Sequence, residues 1–170
     1  MLAKEMEKEL NVQINKELYS AYYYVAMAAW AENKSLNGVA NFFKVQAQEE
    51  MGHVQKFYSY LNERGGRVIL EAIDKPPVEY KDVEDIFAFA LKHEQYVTQR
   101  IHGLVDLAIK ENDHATKTFL DWFVTEQVEE EASMDDILQK IKMVGASGQG
   151  LFMIDAQLAQ RAVNASTEGE

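Results

Sequence analysis

The chain has no cysteine among its 170 residues, which excludes disulfides, thiolate metal ligation and thiol nucleophiles. It has only two prolines, and they are adjacent, Pro76-Pro77, so nothing else in the sequence forbids long helices. No stretch approaches the ~18 uninterrupted apolar residues of a membrane-spanning helix. The opening Met1-Leu2-Ala3-Lys4-Glu5 is charged too early for a secretory leader. Basic residues are outnumbered, 17 against 28 acidic, for a formal net charge of −11. That sign argues against a nucleic-acid partner and suits the gathering of cations. The expectation is a soluble, cytoplasmic protein with no nucleic-acid or membrane partner. Residues 1–163 form one domain, and 164–170 form a polar, frayed tail.

What is present reads as helix. Apolar residues recur every three or four positions over 5–33, 38–64, 82–111 and 114–143, the period of helices that bury one face. Ser35 and Asn37-Gly38 turn the first into the second, and Asn112-Asp113 turn the third into the fourth. Gly65-Gly66 and Pro76-Pro77 bracket a longer connection, 65–81, in which Arg67-Val68-Ile69-Leu70 is too short and mixed to claim as a strand. Gly145, Gly148 and Gly150 precede a short amphipathic helix over 149–161. The implied fold is all-α: a four-helix bundle of two antiparallel hairpins, a long crossover between the second and third helices, and a short fifth C-terminal helix.

Each long helix carries one apolar seam, and each seam is broken near its middle by a side chain able to hold a metal. The first runs Leu10, Ile14, Glu17, Ala21, Tyr24, Ala28, Ala31, and the second Val39, Phe43, Gln46, Glu50, His53, Phe57, Tyr60. The third runs Val83, Phe87, Ala90, Glu94, Val97, Ile101, Leu104, Ala108, and the fourth Thr116, Leu120, Phe123, Gln127, Glu130, Met134, Ile137, Ile141. Glu17 precedes Glu50 by 33 residues, and Glu94 precedes Gln127 by the same 33. Each hairpin thus offers one residue from its first helix and an i, i+3 pair from its second, on one face.

A lone seam glutamate reads as a phase error. Four interruptions in register do not, because each leaves a costly buried group and one shared ion satisfies them together. Four carboxylates, an imidazole and an amide oxygen suit iron, manganese or zinc. Glu50 is placed to bridge two ions, and His53 needs a partner for its second nitrogen. Tyr24, seven residues beyond Glu17, is placed to bond Glu94. His93, His102 and His114 lack such support and are expected at the surface. Tyr22-Tyr23-Tyr24 is packing, with only Tyr24 on the seam, and Trp122 belongs to the core. Glu126 and Glu129 flank the seam of the fourth helix.

Three stretches carry a resemblance: Asn15-Lys16-Glu17-Leu18-Tyr19-Ser20-Ala21-Tyr22, Gln46-Ala47-Gln48-Glu49-Glu50-Met51-Gly52-His53, and Trp122 through Glu131. Over about residues 1–163 the chain resembles a ferritin of the prokaryotic non-haem type. The resemblance implies a di-iron ferroxidase centre, a construction known in helix bundles with Glu-x-x-His pairs. Glu17, Glu50 and His53 would hold one iron, and Glu50, Glu94 and Glu130 the second, with Gln127 close by and Tyr24 behind Glu94. A third iron would be held by Glu49, Glu126, Glu129 and Glu130. The implied reaction is oxidation of Fe(II) by dioxygen or hydrogen peroxide, with ferric mineral stored in a cage of twenty-four subunits. Gly150-Leu151-Phe152-Met153-Ile154 would line the cage's four-fold axis.

Bacterioferritins resemble this bundle but place a Glu-x-x-His pair on the fourth helix, where this chain reads Gln127-Val128-Glu129-Glu130. Met51 stands where those relatives ligate haem, so a haem-binding bacterioferritin remains an alternative, although no haem is expected. The other alternative is a passive cage holding a redox-inert ion.

Overall fold

The computed structural model describes residues 2–145 and 147–163. Five helices follow in order: α1 Lys4–Asn33, α2 Asn37–Glu63, α3 Val83–Lys110, α4 His114–Val144 and α5 Gly148–Leu158. No strand occurs among the described residues. Helix α1 packs along α2, and α3 along α4; α3 docks on α1, while α5 lies against α2 and α4. The frayed tail expected at 164–170 lies outside the described residues.

The chain turns where its residues permit it. Ser35 and Asn112 adopt left-handed backbone, φ 60° and 55°, and Gly65 does so at φ 77°. At each place the next N–H reaches back five residues: Leu36 to Ala31, Gly66 to Leu61 and Asp113 to Ala108, at 2.9–3.0 Å. This is the Schellman closure, which satisfies carbonyls that a helix end leaves orphaned. Helices α3, α4 and α5 begin on side-chain caps, Asp82, Asp113 and Ser147. Helix α2 has no cap of its own. Its Val39 N–H is taken instead by Asp155 Oδ1 of α5 at 2.9 Å. The backbones approach so closely that a Cβ on Gly38 would sit 1.6 Å from the Asp155 carbonyl oxygen.

Every apolar and polar seam residue anticipated on the four long helices is buried, except Tyr60, which is half-buried and bonded to Thr116 at 2.9 Å. The polar members form a layer that cuts the core in two. On one side lie Met27, Phe42, Phe43, Phe87 and Met134; on the other Leu10, Ile14, Phe57, Ile101 and Phe123. Buried aromatic side chains of this size contribute on the order of 2–3 kcal/mol each through area removed from water. The bundle is therefore held from both ends of the polar layer.

The fifth helix stops at Leu158, three residues before the expected 161. Asn41 Nδ2 of α2 meets the chain there, donating to the carbonyls of Leu158, Ala159 and Arg161 at 3.1, 3.4 and 3.0 Å. The Leu158 carbonyl there accepts from Arg161 N–H at 3.2 Å, a tighter turn in place of a continued α-helical bond. The crossover segment is extended along α1 and forms no strand. Glu7, Asn11 and Asn15, spaced four apart on α1, bond the backbone of Arg67, Ile69 and Glu71, spaced two apart.

Candidate metal centre

Helix α1 contributes Glu17 and α2 contributes Glu50 and His53, all about 1–2 % exposed. One ligand atom of each lies within 4.8 Å of the other two. His53 Nδ1 faces Glu50 Oε2 at 3.3 Å and Glu17 Oε2 at 3.8 Å. His53, Glu126 and Glu130 form a second triad within the same 4.8 Å limit. His53 thus belongs to both. Its ring is fixed by edge contacts with Trp122 and Phe123, centroids 5.5 and 5.7 Å away.

The remaining expected residues complete the layer from α3 and α4. Glu94 is fully buried and accepts from the Tyr24 hydroxyl, so that expected contact is present. Gln127 Nε2 donates to Glu94 Oε2 at 3.2 Å and to Thr98 Oγ1 at 3.2 Å. Glu130 Oε2 accepts from Gln46 Nε2 at 2.8 Å. Neither triad includes Glu94, Glu49 or Glu129. Glu129 is exposed, Glu126 half-buried, and Glu49 buried in an ion pair with Arg161 at 2.6 Å.

The electrostatics describe a centre short of cations. Burial favours the neutral form of every carboxyl here. For Glu17 that push is overcome by hydrogen bonding and charge from His53, which hold it below the usual range. For Glu50 burial prevails and the carboxyl is pushed well above its ordinary value. Burial also works against a charged His53, but Glu17 and Glu50 lift the imidazole well above its usual range. Glu94 rises to about 8 through burial and the charge of Glu130, against hydrogen bonds from Tyr24 and Gln127 that lower it. Buried and without any hydrogen-bond partner are Glu17 Oε2, Glu50 Oε2 and His53 Nε2, together with the amide oxygens of Gln13 and Gln46. Glu17 Oε2 and Glu50 Oε2 gathered about His53 Nδ1 make the donor set of a hard or borderline divalent ion.

Several functional contacts were not anticipated. Gln13, one turn before Glu17, donates to its Oε1 at 2.8 Å, and an amide four residues from a seam glutamate is the signal that marks it. His93 is corrected: it is not a surface residue. Its Nε2 lies 2.8 Å from Ser20 Oγ, and its ring stacks on Tyr23 at 4.6 Å. Burial depresses it to about 4. Tyr23 is buried beside the seam, and Trp122 is half-buried, not core.

Fold and site define a class: a helical bundle whose interior carries paired carboxylate and histidine groups able to hold metal. The chain belongs to the ferritin family, since the model of the ferritin-like domain matches residues 7–144. It is 41% identical over 166 residues to a bacterial non-heme ferritin of Staphylococcus saprophyticus, covering 98% of this chain and 99% of that one. It is 39% identical to a probable bacterial non-heme ferritin-like protein of Haemophilus influenzae, covering 97% and 100%. A solved open pore ferritin from the archaeon Archaeoglobus fulgidus superposes with TM-score 0.95 at 43% identity, covering 95% and 100%.

Proposed function

We propose that this protein is an iron-storage ferroxidase that works without haem. It oxidises Fe(II) at the buried layer and keeps the ferric product inside a cage of about twenty-four copies of its 19.4 kDa chain. The observation that supports this best is the buried cluster of Glu17 Oε2, Glu50 Oε2 and His53 Nδ1, set among carboxyls that burial keeps protonated. Glu17, Glu50 and His53 receive one Fe(II), and Glu50, Glu94 and Glu130 the other, with Gln127 beside them. Entry of the ions displaces protons from Glu50 and Glu94. Two irons then supply two electrons to one dioxygen, which takes two protons and leaves as hydrogen peroxide. Peroxide itself is the alternative oxidant. Tyr24 holds Glu94 in place through its hydroxyl. Glu49, Glu126, Glu129 and Glu130 form an outer station for a third ion. Met51, 48 % exposed on the outside of α2, is an apolar contact residue.

The test adds two Fe(II) per subunit to the anaerobic protein and then admits air. The parent is expected to lose its Fe(II) within seconds, whereas Glu50→Ala and His53→Ala are at least ~10-fold slower yet form particles of the parent's mass, roughly half a megadalton. Parent-like rates in either variant would remove α2 from the centre. Slow oxidation by the parent itself would favour a passive metal-binding cage.

A further inference from the structure

The ion pair that covers Glu49 joins two distant parts of the chain. Arg161 lies three residues beyond α5, and its Nη2 donates to Glu49 Oε2 at 2.6 Å across 112 positions of sequence. Glu49 is buried, while the Arg161 side chain keeps 21 % of its exposure. The guanidinium lies over the Phe42 ring, 4.2 Å from its centre. Asn41 holds the Arg161 carbonyl at 3.0 Å, so the side chain is delivered from a fixed backbone. Its Nη1 is buried and has no hydrogen-bond partner. An arginine that commits one arm of its fork and leaves the other unpaired is not built as an optimal structural ion pair.

The neighbours explain what it stands among. Glu126, Glu129, Glu130 and Glu49 act on one another by charge, and Arg161 acts on Glu130 as well. In this outer group of acids the Arg161 guanidinium is the cation paired directly with Glu49, while His53 and Lys56 act on Glu126 by charge. Beside it opens a cavity of about 330 Å³, lined by Phe42, Asp136, Gln157 and Arg161 itself.

We propose that Arg161 is a tethered counter-cation for the outer metal station, so that its pairing with Glu49 and the binding of a third ion there are mutually exclusive. This rests on the outer station assigned above. Arg161 thereby sets the affinity of that station, with a smaller effect on the inner ion that shares Glu130. Coupling of this kind is reciprocal: the factor by which the pair weakens the ion is the factor by which the ion weakens the pair. A full guanidinium removed from a buried carboxylate is expected to change affinity by at least tenfold.

The test titrates the metal-free protein with Zn(II) by calorimetry at fixed pH and ionic strength, for the parent and Arg161→Gln. Expected is a third site bound at least ~10-fold more tightly in the variant, with the two inner sites changed far less. In the parent, labelling of Arg161 by phenylglyoxal, read by peptide mass spectrometry, should rise when the third zinc is added and not with the first two. The labelling needs no variant, so it decides the matter even if Arg161→Gln does not assemble. A third site of equal or weaker affinity in the variant, or labelling indifferent to the third zinc, overturns the role of Arg161 while leaving the outer station standing. Absence of any third zinc in both proteins overturns the outer station, and the proposal with it.

Discussion

Glu94 and His93 are adjacent in sequence and titrate in opposite directions, because burial acts against charge whatever its sign. The Glu94 carboxyl, raised to about 8, stays protonated in the folded metal-free protein after an unfolded chain has ionised. Between the usual carboxylate range and pH 8 the folded state therefore holds the extra proton, and stability falls as pH rises. Glu94→Gln keeps an acceptor for Tyr24 and removes that proton. We expect its metal-free form to lose less stability between pH 5 and 8 in denaturant titrations. We also expect fewer protons released on binding Zn(II) at pH 7, read by calorimetry in buffers of different ionisation enthalpy. His93, depressed to about 4, has the reverse linkage. The unfolded chain takes up its proton first, so stability falls as pH drops from about 6.5 towards 4. His93→Phe should flatten that acid limb, and Ser20 keeps its bond to the Lys16 carbonyl at 3.1 Å. The polar seam residues were readable because a polar residue at an apolar period declares itself. His93 and Tyr23 were not, since each sits one step off the seam and is covered by a neighbouring helix that no local pattern reports.

Among the elements, the helices announced their own limits through Ser35, Asn112 and the paired glycines, whose preferences are local. The crossover did not. Its order comes from side chains of α1 more than fifty residues earlier, chiefly Asn11, which accepts from Ile69 N–H at 2.6 Å and donates to the Arg67 carbonyl at 3.0 Å. Two such bonds lost from a half-buried site cost about 1–3 kcal/mol. Asn11→Ala should therefore raise hydrogen exchange across 67–71 while α2 and α3 keep their protection. Unaltered exchange in that segment would show that packing of Val68 alone holds it. The end of α5 was misjudged for a like reason, because Asn41 is far away in sequence and its capture of three carbonyls follows from tertiary docking.

For the molecule as a whole, the polar layer interrupts a core that is otherwise continuous, and the two apolar halves flank it on either side. The halves hold the bundle together without ions, so chelation should leave helix content by circular dichroism unchanged. Ions that bind only the folded form add stability by mass action, about 2.7 kcal/mol per site at a concentration of 100 Kd. The melting temperature is expected to rise by several degrees with two Zn(II) per subunit and to return on chelation. A fall in helix content on chelation would mean the layer needs its ions to fold. The four seams foretold this plan because a bundle repeats one period over nearly thirty residues per helix. They were silent on Arg161, which reaches the layer from beyond the last helix, where no period runs.

The rungs between α1 and the crossover compare two rulers. Four residues of helix advance about 6.0 Å, while two extended residues advance about 6.6 Å. Each rung therefore falls out of step by roughly half an ångström, as the two scales of a vernier do. The N–H bonds along it measure 2.9 Å at Glu7, 2.6 Å at Asn11 and 3.1 Å at Asn15, so three rungs absorb the mismatch. The next residue at that spacing on α1 is Tyr19, which carries no amide, so the ladder ends with Asn15. One residue inserted between Ile69 and Leu70 would shift the coincidence without abolishing it, bringing a different backbone group opposite Asn15.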